Sequence, residues 1–263
     1  MGERLDLTTS DGVRLSAVLL HARGGPPGLG VVLAHGFTGS ADRPHVWRVA
    51  SALAAHATVL LSDHRGHGLS AGLSTLGDRE VLDVDAGVAE LRRRGHAPIV
   101  TCGWSMGGSA VLRQAALRGR LLHGHRVAFP PDAVVSVSAT SRWFVRDTVP
   151  MRRLHRLVET RSGRMLARRW LGVRIDGRAW PEIPESPIDC VARIAPIPLL
   201  VVHGDRDAFF TVEHPQALTA AAAGAHLWIV PGFGHAEAAA DAALLDRIGR
   251  FLPTLLADVG APA

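Results

Sequence analysis

Lysine and tyrosine are absent from this 263-residue chain, and cysteine occurs only at Cys102 and Cys190. All 29 basic residues are therefore arginine, and against 24 acidic residues they leave a formal net charge of +5. The sequence pI near 10.9 thus reflects the use of arginine more than a large excess of charge. So small an excess does not indicate nucleic-acid binding, which needs a clustered basic face on a recognisable module. Two cysteines do not suggest a disulfide scaffold.

Long hydrophobic runs are missing as well. No stretch approaches the roughly 20 apolar residues of a membrane-spanning helix. Glu3, Arg4 and Asp6 occupy the segment where a signal peptide would carry its apolar core. A hydrophobic content of 47% with 20% charged residues is typical of a globular protein, and the length suits one large α/β domain. We expect a cytoplasmic protein without nucleic-acid partners or stable membrane insertion.

A serine turn lies near the middle of the chain. Gly103, Ser105 and Gly107 form a G-x-S-x-G pattern between a short apolar run ending at Val100 and an amphipathic segment from Ser109 onward. Strand, tight turn and helix in this order would present the serine at the apex of the turn. A serine hydroxyl is a poor nucleophile unless a base takes its proton and donors hold the resulting oxyanion. A glycine-rich connection with a chance serine is the alternative interpretation.

Apolar runs alternate with amphipathic segments along most of the chain. Two short runs near the N-terminus predict a β-hairpin. Five further runs predict strands, at residues 29–34, 58–62, 133–137, 198–203 and 226–230, of which 29–34 is continuous enough for a strand buried on both faces. Helical periodicity lies between several of them, for example over residues 78–95. This alternation predicts an α/β fold with a mostly parallel sheet covered on both faces.

Residues 141–190 break the alternation. They contain arginine-rich pieces that could form short helices, near residues 151–158 and 165–171, followed by a proline-spaced stretch. We predict a small lid or cap at 141–190 inserted into a core made of residues 1–140 and 191–263. Residues 142–178 hold eleven arginines and three acidic residues, a formal charge of +8, so the rest of the chain carries −3. Three explanations stay open: a solvated arginine-rich face, attraction of an anionic acyl substrate, or attraction to anionic lipid.

Candidate partners of Ser105 follow two later strands, as expected where ligands bind beyond the carboxyl ends of parallel strands. One stretch holds Asp205 and Asp207, and the other ends in His235. The order serine, acid, histidine is that of α/β-hydrolases. The chain resembles the α/β-hydrolase superfamily of esterase- and lipase-like serine hydrolases over nearly its whole length. Five motifs carry the resemblance: residues 35–37, 63–70, 103–107, 204–207 and 234–235.

The resemblance implies an α/β-hydrolase fold with about eight strands, flanking helices and a helical lid. It implies that Ser105 is the nucleophile, His235 the general base and Asp207 the orienting acid. Asp207 is preferred to Asp205 because the family places its acid three residues after the glycine. The backbone N–H groups of Phe37 and Met106 would form the oxyanion hole.

Three other histidines, His35, His64 and His67, are interpreted as structural residues. By the same resemblance His35 would hold the oxyanion loop in shape, whereas His64 and His67 would belong to a structural turn. A metal site at the two latter histidines is disfavoured because no ligand set of suitable spacing accompanies them. No nucleotide-binding motif is present in the sequence, so no cofactor and no metal are expected.

The predicted function is cofactor-independent hydrolysis of a carboxylic ester through an acyl-serine intermediate, with a small acyl compound as substrate. Alternatives are an acyl thioesterase acting on an anionic acyl carrier, or a carbon–carbon bond hydrolase or haloperoxidase-like enzyme. A non-catalytic homologue that binds a ligand is less favoured, because binding alone does not require all of Ser105, Asp207 and His235. The sequence does not indicate an oligomeric state.

Overall fold

The computed structural model describes residues 2–178, 180 and 182–258. Residues 1, 179, 181 and 259–263, which include both ends of the predicted core and Pro181 of the predicted lid, lie outside the described residues. The strands in chain order are β1 (Glu3–Thr8), β2 (Arg14–Leu20), β3 (Gly30–Ala34), β4 (Thr58–Ser62), β5 (Ile99–Trp104), β6 (Leu121–Leu122), β7 (His125–Arg126), β8 (Ala133–Val137), β9 (Leu199–Gly204) and β10 (His226–Val230).

Eight of these strands form one central sheet within the described residues, in the order β1-β2-β4-β3-β5-β8-β9-β10. β1 pairs antiparallel with β2, and β2 pairs antiparallel with β4, whereas the pairs from β4 across to β10 are parallel. β6 and β7 form a separate two-stranded ribbon. The predicted N-terminal hairpin and the mostly parallel sheet of about eight strands are both confirmed.

Helices cover both faces of the sheet. They are α1 (Pro44–Leu53), α2 (Glu80–Arg93), α3 (Met106–Ala116), α4 (Val149–Glu159), α5 (Arg161–Leu166), α6 (Pro187–Cys190), α7 (Glu213–Ala221), α8 (Ala236–Ala239) and α9 (Ala242–Ala257). α1 and α9 pack on one face, and α2, α3 and α7 pack on the other. No helix of the described residues combines the length and apolarity needed to cross a bilayer.

Because helices cover both faces of the sheet, the inner strands bury the side chains of both faces, and their sequences are continuously apolar. Every residue of β3, β4, β5, β8 and β9 is buried, and successive side chains enter opposite core layers. Val31 and Leu33 pack toward α1 and α9, whereas Val32 packs toward α2 and α3. Each such side chain stabilises the fold by about 1.5–3 kcal/mol. Cys102 lies in the layer beneath α1 and α9, and burial raises the pKa of its thiol to about 12, as expected of a structural cysteine.

The chain between β8 and β9 is mainly helical, and we call residues 141–190 the insertion. Thr160 ends α4 and also caps α5 by accepting a hydrogen bond from the Gly163 N–H. Because of this cap the second helical piece begins at Arg161, earlier than the sequence suggested, and a π-helical segment, Ala167–Leu171, follows α5. α6, at the end of the insertion, packs against α3 in the core beneath. The division into core and lid stays a prediction.

Candidate active site

Ser105 stands at a sharp turn between β5 and α3. Its backbone has φ 52° and ψ −115°, in the region that favours glycine, and this conformation is strained for a serine. The turn is held by a hydrogen bond from Ser105 N–H to Val137 O (2.8 Å) and another from Ser109 N–H to Ser105 O (3.1 Å). The surrounding sheet and helix therefore stabilise a conformation that exposes the hydroxyl beyond the end of β5.

Two glycines allow the backbone to pack closely around this turn. A Cβ atom on Gly103 would lie 2.2 Å from Gly107 O, and one on Gly107 would lie 2.2 Å from Ala34 O. Both distances are far below van der Waals contact, so no side chain fits at either position. The spacing of glycines in the G-x-S-x-G pattern thus has a steric cause: β3, β5 and α3 converge at the serine.

The structure brings Ser105, Asp207 and His235 together at the carboxyl edge of the sheet. Asp207 follows β9, and His235 follows β10. His235 Nε2 lies 2.9 Å from Ser105 Oγ, and His235 Nδ1 lies 2.7 Å from Asp207 Oδ2. With Asp207 ionised, Nδ1 carries the proton and Nε2 is left to accept from the serine hydroxyl.

The environment of Asp207 keeps it charged although its side chain is buried. Burial by itself would raise its pKa, but the hydrogen bond and charge of His235, with the N–H of Phe210, lower the pKa below the usual value. Its Oδ1 accepts from the N–H groups of Phe209 (2.8 Å) and Phe210 (3.1 Å). The ring of Phe209 also stacks on His235, with 4.3 Å between ring centroids. The carboxylate and the imidazole are therefore held in fixed orientations.

Asp205, the other acid of the same loop, lies apart from His235. Its Oδ1 accepts a hydrogen bond from the Gly232 N–H at 2.7 Å, so its carboxylate ties the β9 loop to the β10 loop. The two acids therefore lie at separate positions, with Asp207 on His235 and Asp205 between the two loops.

Phe37 and Met106 also lie beside Ser105, on the same cavity. Their backbone N–H groups have no acceptor among the described residues.

His35 fixes the loop that carries Phe37. Its Nδ1–H donates to Gly36 O (2.7 Å). Burial, with His64 and His67 nearby, lowers the pKa of His35, so that it stays neutral. Since a peptide unit is planar, fixing Gly36 O in this way also fixes the opposite direction of the Phe37 N–H.

Glu237 is a residue of this site that sequence reasoning missed. Its Oε1 accepts a hydrogen bond from the Gly36 N–H at 2.7 Å, which holds the other side of the candidate oxyanion loop, residues 35–37. Burial raises the pKa of this carboxyl group, and the Gly36 N–H offsets the rise only partly. The sequence offered one signal, an acid two residues after the candidate base, but no motif pointed to its partner, 201 positions earlier.

The predicted structural histidines form a buried cluster beside residues 36 and 37 of the candidate oxyanion loop. The ring centroids of His35 and His64 are 4.6 Å apart, and those of His35 and His67 are 5.0 Å apart. His35 Nε2 accepts from the His64 N–H at 3.0 Å, and His67 donates to Phe37 O. No group of three or more His, Cys, Asp or Glu residues in the described ranges is arranged to hold a metal ion.

A cavity of about 780 Å³ opens over Ser105. Its walls are largely apolar and come from the loop before α2, from α4 and from the rest of the insertion; they include Leu76, Trp143, Met151, Leu154, Val158, Trp180 and Phe210. Asp78, Arg79 and His123 add polar groups to the wall. The volume suffices for a substrate with a sizeable apolar group.

A family model described as the alpha/beta hydrolase family matches residues 31–247 of the chain. The chain belongs to the alpha/beta hydrolase family. The matched range begins in β3 and ends in α9, so it contains the serine turn, both partner loops and the whole insertion. No curated protein sequence matches the chain.

Solved alpha/beta hydrolase structures share this fold. The esterase Pf2001 of Pyrococcus furiosus superposes with a TM-score of 0.72 at 22% identity, over 97% of this chain and 91% of that one. The α/β hydrolase GrgF of Penicillium sp. sh18 gives 0.69 at 20% identity, over 97% and 98% of the two chains. An esterase domain from Rhodothermus marinus gives 0.62 at 21% identity, over 97% of each chain. These likenesses establish the α/β-hydrolase fold.

Proposed function

We propose that this member of the alpha/beta hydrolase family is a cofactor-independent serine hydrolase that cleaves carboxylic esters through an acyl-Ser105 intermediate. The observation that carries the proposal is the position of the His235 ring, within hydrogen-bonding distance of Ser105 Oγ on one side and of Asp207 Oδ2 on the other. A base between nucleophile and carboxylate is the arrangement that activates a serine.

In the acylation step, His235 Nε2 takes the hydroxyl proton while Ser105 Oγ attacks the ester carbonyl carbon. The carbonyl oxygen becomes an oxyanion, which accepts hydrogen bonds from the N–H groups of Phe37 and Met106. As the tetrahedral intermediate collapses, the C–O bond to the leaving group breaks, and the imidazolium gives its proton to the departing alkoxide oxygen. The products of this step are an alcohol and acyl-Ser105.

In the deacylation step, water replaces the alcohol. His235 takes a proton from the water, whose oxygen attacks the acyl carbon, and the same two N–H groups hold the second oxyanion. Collapse of this intermediate breaks the bond to Ser105 Oγ, which recovers its proton from His235. Asp207 stabilises the imidazolium in both halves and keeps the ring in the tautomer that can act as a base.

The cavity wall favours an ester of a sizeable apolar acid over an anionic acyl carrier. Of the eleven arginines at residues 142–178, only Arg142, Arg164 and Arg178 line the cavity. Arg142 pairs with Asp147 and Arg178 with Asp176, and Arg164 donates to the carbonyls of Val158 and Glu159. The esterases of Pyrococcus furiosus and Rhodothermus marinus, and the ferulic-acid-bound Est1E of Butyrivibrio proteoclasticus, which share the fold, are consistent with this choice.

Labelling by a fluorophosphonate probe, together with turnover of a panel of p-nitrophenyl esters, tests the proposal. We expect the wild-type protein to be labelled and Ser105→Ala to be unlabelled, with kcat lower by at least about 10,000-fold. If the folded wild-type protein is neither labelled nor able to hydrolyse any ester of the panel, the proposal that it is a serine hydrolase is rejected and a ligand-binding homologue is favoured.

The two acids of the β9 loop provide a matched control. Asp207→Asn should lower kcat by roughly 10,000-fold, because the amide cannot hold the required histidine tautomer. Asp205→Asn removes an equal charge from the same loop without touching His235, and it should leave kcat within about tenfold of wild type. Equal losses in the two variants would contradict the assignment of the acid.

A further inference from the structure

An exposed apolar strip runs along the outer side of the insertion. Met165 and Trp170 are each 70% exposed, and Leu166 is 52% exposed. Residues four apart lie on the same side of a helix, so Leu166 and Trp170 are neighbours, and Met165 lies between Arg161 and Arg169. Large apolar side chains this exposed are unfavourable in water, and adjacent ones mark a binding surface.

Arginines surround the strip without acidic partners. Arg153, Arg156, Arg161, Arg168 and Arg169 are exposed, and none pairs with an acidic residue within the described ranges. The chain has no acidic residue between Glu159 and Asp176. We call these five arginines together with Met165, Leu166 and Trp170 the basic apolar surface.

The placement of these arginines is not explained by the arginine preference of the chain. That preference accounts for arginine in place of lysine, but residues 142–178 carry +8 while the remainder carries −3. α4 shows the separation directly, because Met151, Leu154 and Val158 line the cavity whereas Arg152, Arg153 and Arg156 point away from it, exposed. Most of the arginines at residues 142–178 thus lie away from the cavity.

We propose that the basic apolar surface docks on the face of an anionic lipid bilayer. Arginines attract the negative headgroups, while Trp170, Met165 and Leu166 enter the boundary between headgroups and acyl chains. Trp and Arg together suit this boundary, since Trp places an amphipathic ring at headgroup depth. Docking of this kind requires no membrane-spanning helix. It is also independent of the proposed ester hydrolysis, because it uses residues outside the cavity.

Vesicle co-sedimentation tests the proposal on the full-length protein. Wild type is mixed with vesicles of phosphatidylcholine alone or of phosphatidylcholine with phosphatidylglycerol, at low and high salt. We expect binding to the anionic vesicles only, weakened by salt. Each arginine near the surface is worth roughly fivefold in affinity, so Arg161→Glu/Arg168→Glu/Arg169→Glu should bind weaker by on the order of a hundredfold or more.

A matched control reverses three exposed arginines of the core surface, Arg23→Glu/Arg120→Glu/Arg126→Glu, and gives the same net charge. This control should keep most of the binding. Equal loss in the two triple variants would overturn the proposal, because total charge rather than this surface would be responsible. Thermal unfolding of each variant establishes that it is folded.

Met165→Ser/Trp170→Ser separates a bilayer from other occupants. The variant keeps every arginine, so it should lose vesicle binding while its binding to soluble heparin is unchanged. Undiminished vesicle binding would overturn the proposal, because charge alone, without entry of Met165 and Trp170 into the bilayer, would account for it. A wild-type dimer that dissociates in this variant, measured by light scattering without vesicles, would overturn it in favour of a second copy of the chain.

Discussion

Two residues of one short turn, His235 and Glu237, contact different parts of the candidate site. His235 contacts the serine hydroxyl, and Glu237 accepts from the Gly36 N–H of the candidate oxyanion loop, residues 35–37. Arg48 holds this turn from behind by donating to the carbonyls of Glu237 and Ala240. His235 and the loop at residues 35–37 are therefore positioned by the same few residues. If they act as the proposed base and oxyanion loop, a change at Glu237 should affect catalysis without contact with substrate.

We expect Glu237→Ala to lower kcat for p-nitrophenyl esters by about 10- to 100-fold with little change in KM, because the loop that carries the Phe37 N–H loses the hydrogen bond that holds its Gly36 N–H. Glu237→Gln keeps an acceptor oxygen for the Gly36 N–H and should retain most of the activity. Steady-state kinetics on both variants measure kcat and KM. Equal defects in the two would mean that the charge itself, and not the hydrogen bond, is required.

The pH dependence of the free energy of unfolding gives a second measurement on wild type and Glu237→Gln. Burial raises the pKa of Glu237 above its ordinary value of 4.5, so its protonation favours the folded state. This stabilisation is complete below about pH 4.5 and is lost as the pH rises through the raised pKa. The free energy of unfolding of Glu237→Gln relative to wild type should therefore increase with pH over that window.

At the scale of elements, a buried ion-pair network joins the first hairpin to the sheet and α2. Arg65, in the loop after β4, donates to both carboxylate oxygens of Asp11 at 2.8 and 3.0 Å and to Asp83 of α2 at 2.8 Å. The Arg65 and Asp11 side chains are 3% and 5% exposed. Burial alone would raise the pKa of Asp11, but the hydrogen bonds from Arg65 and Thr9 lower it to about 2. The edge of the sheet is thus anchored by charge as well as by packing.

Asp11→Asn should lower the free energy of unfolding by about 2 kcal/mol at neutral pH. Because the folded-state pKa is depressed, this contribution is present above the ordinary value of 3.8 and is lost as the pH falls through about 2. The difference between variant and wild type should therefore shrink over that range, as measured by denaturant unfolding. Asp6→Asn, whose partner Arg14 is exposed, is the matched control and should cost less than about 1 kcal/mol.

At the scale of the whole molecule, the cavity exists because the insertion faces the carboxyl edge of the sheet. α4 turns an apolar face, with Met151, Leu154 and Val158, toward the space over Ser105. The proposed reactive groups lie on loops outside the insertion, and the insertion supplies most of the cavity wall. Reaction and acyl selection are therefore expected to be separable by mutation.

Leu154→Trp should fill part of the cavity and lower kcat/KM for long-chain p-nitrophenyl esters on the order of tenfold or more, while acetate ester hydrolysis changes little. Arg153→Trp adds the same ring to the outward face of α4 and should leave the chain-length profile unchanged. A profile identical in both variants and wild type would show that acyl groups do not lie against α4.

Local patterns in the sequence determined the order of strands and helices, the serine turn and the loops that carry its partners. These features could be predicted because alternation, helical spacing and glycine positions are properties of neighbouring residues. The choice of Asp207 over Asp205 came from a family resemblance. The start of α5 was predicted too late, since the cap at Thr160 was not recognised.

Other features were decided only by tertiary packing. Nothing near Glu237 in the sequence indicates its bond to Gly36, 201 positions away, and nothing in the count of arginines shows that most of them face outward from the cavity. Such contacts depend on how helices and loops settle on a finished sheet, which the spacing of residues along one segment does not encode. The sequence by itself therefore determined which groups could react, and the tertiary structure decided their distances, their support and the space above them.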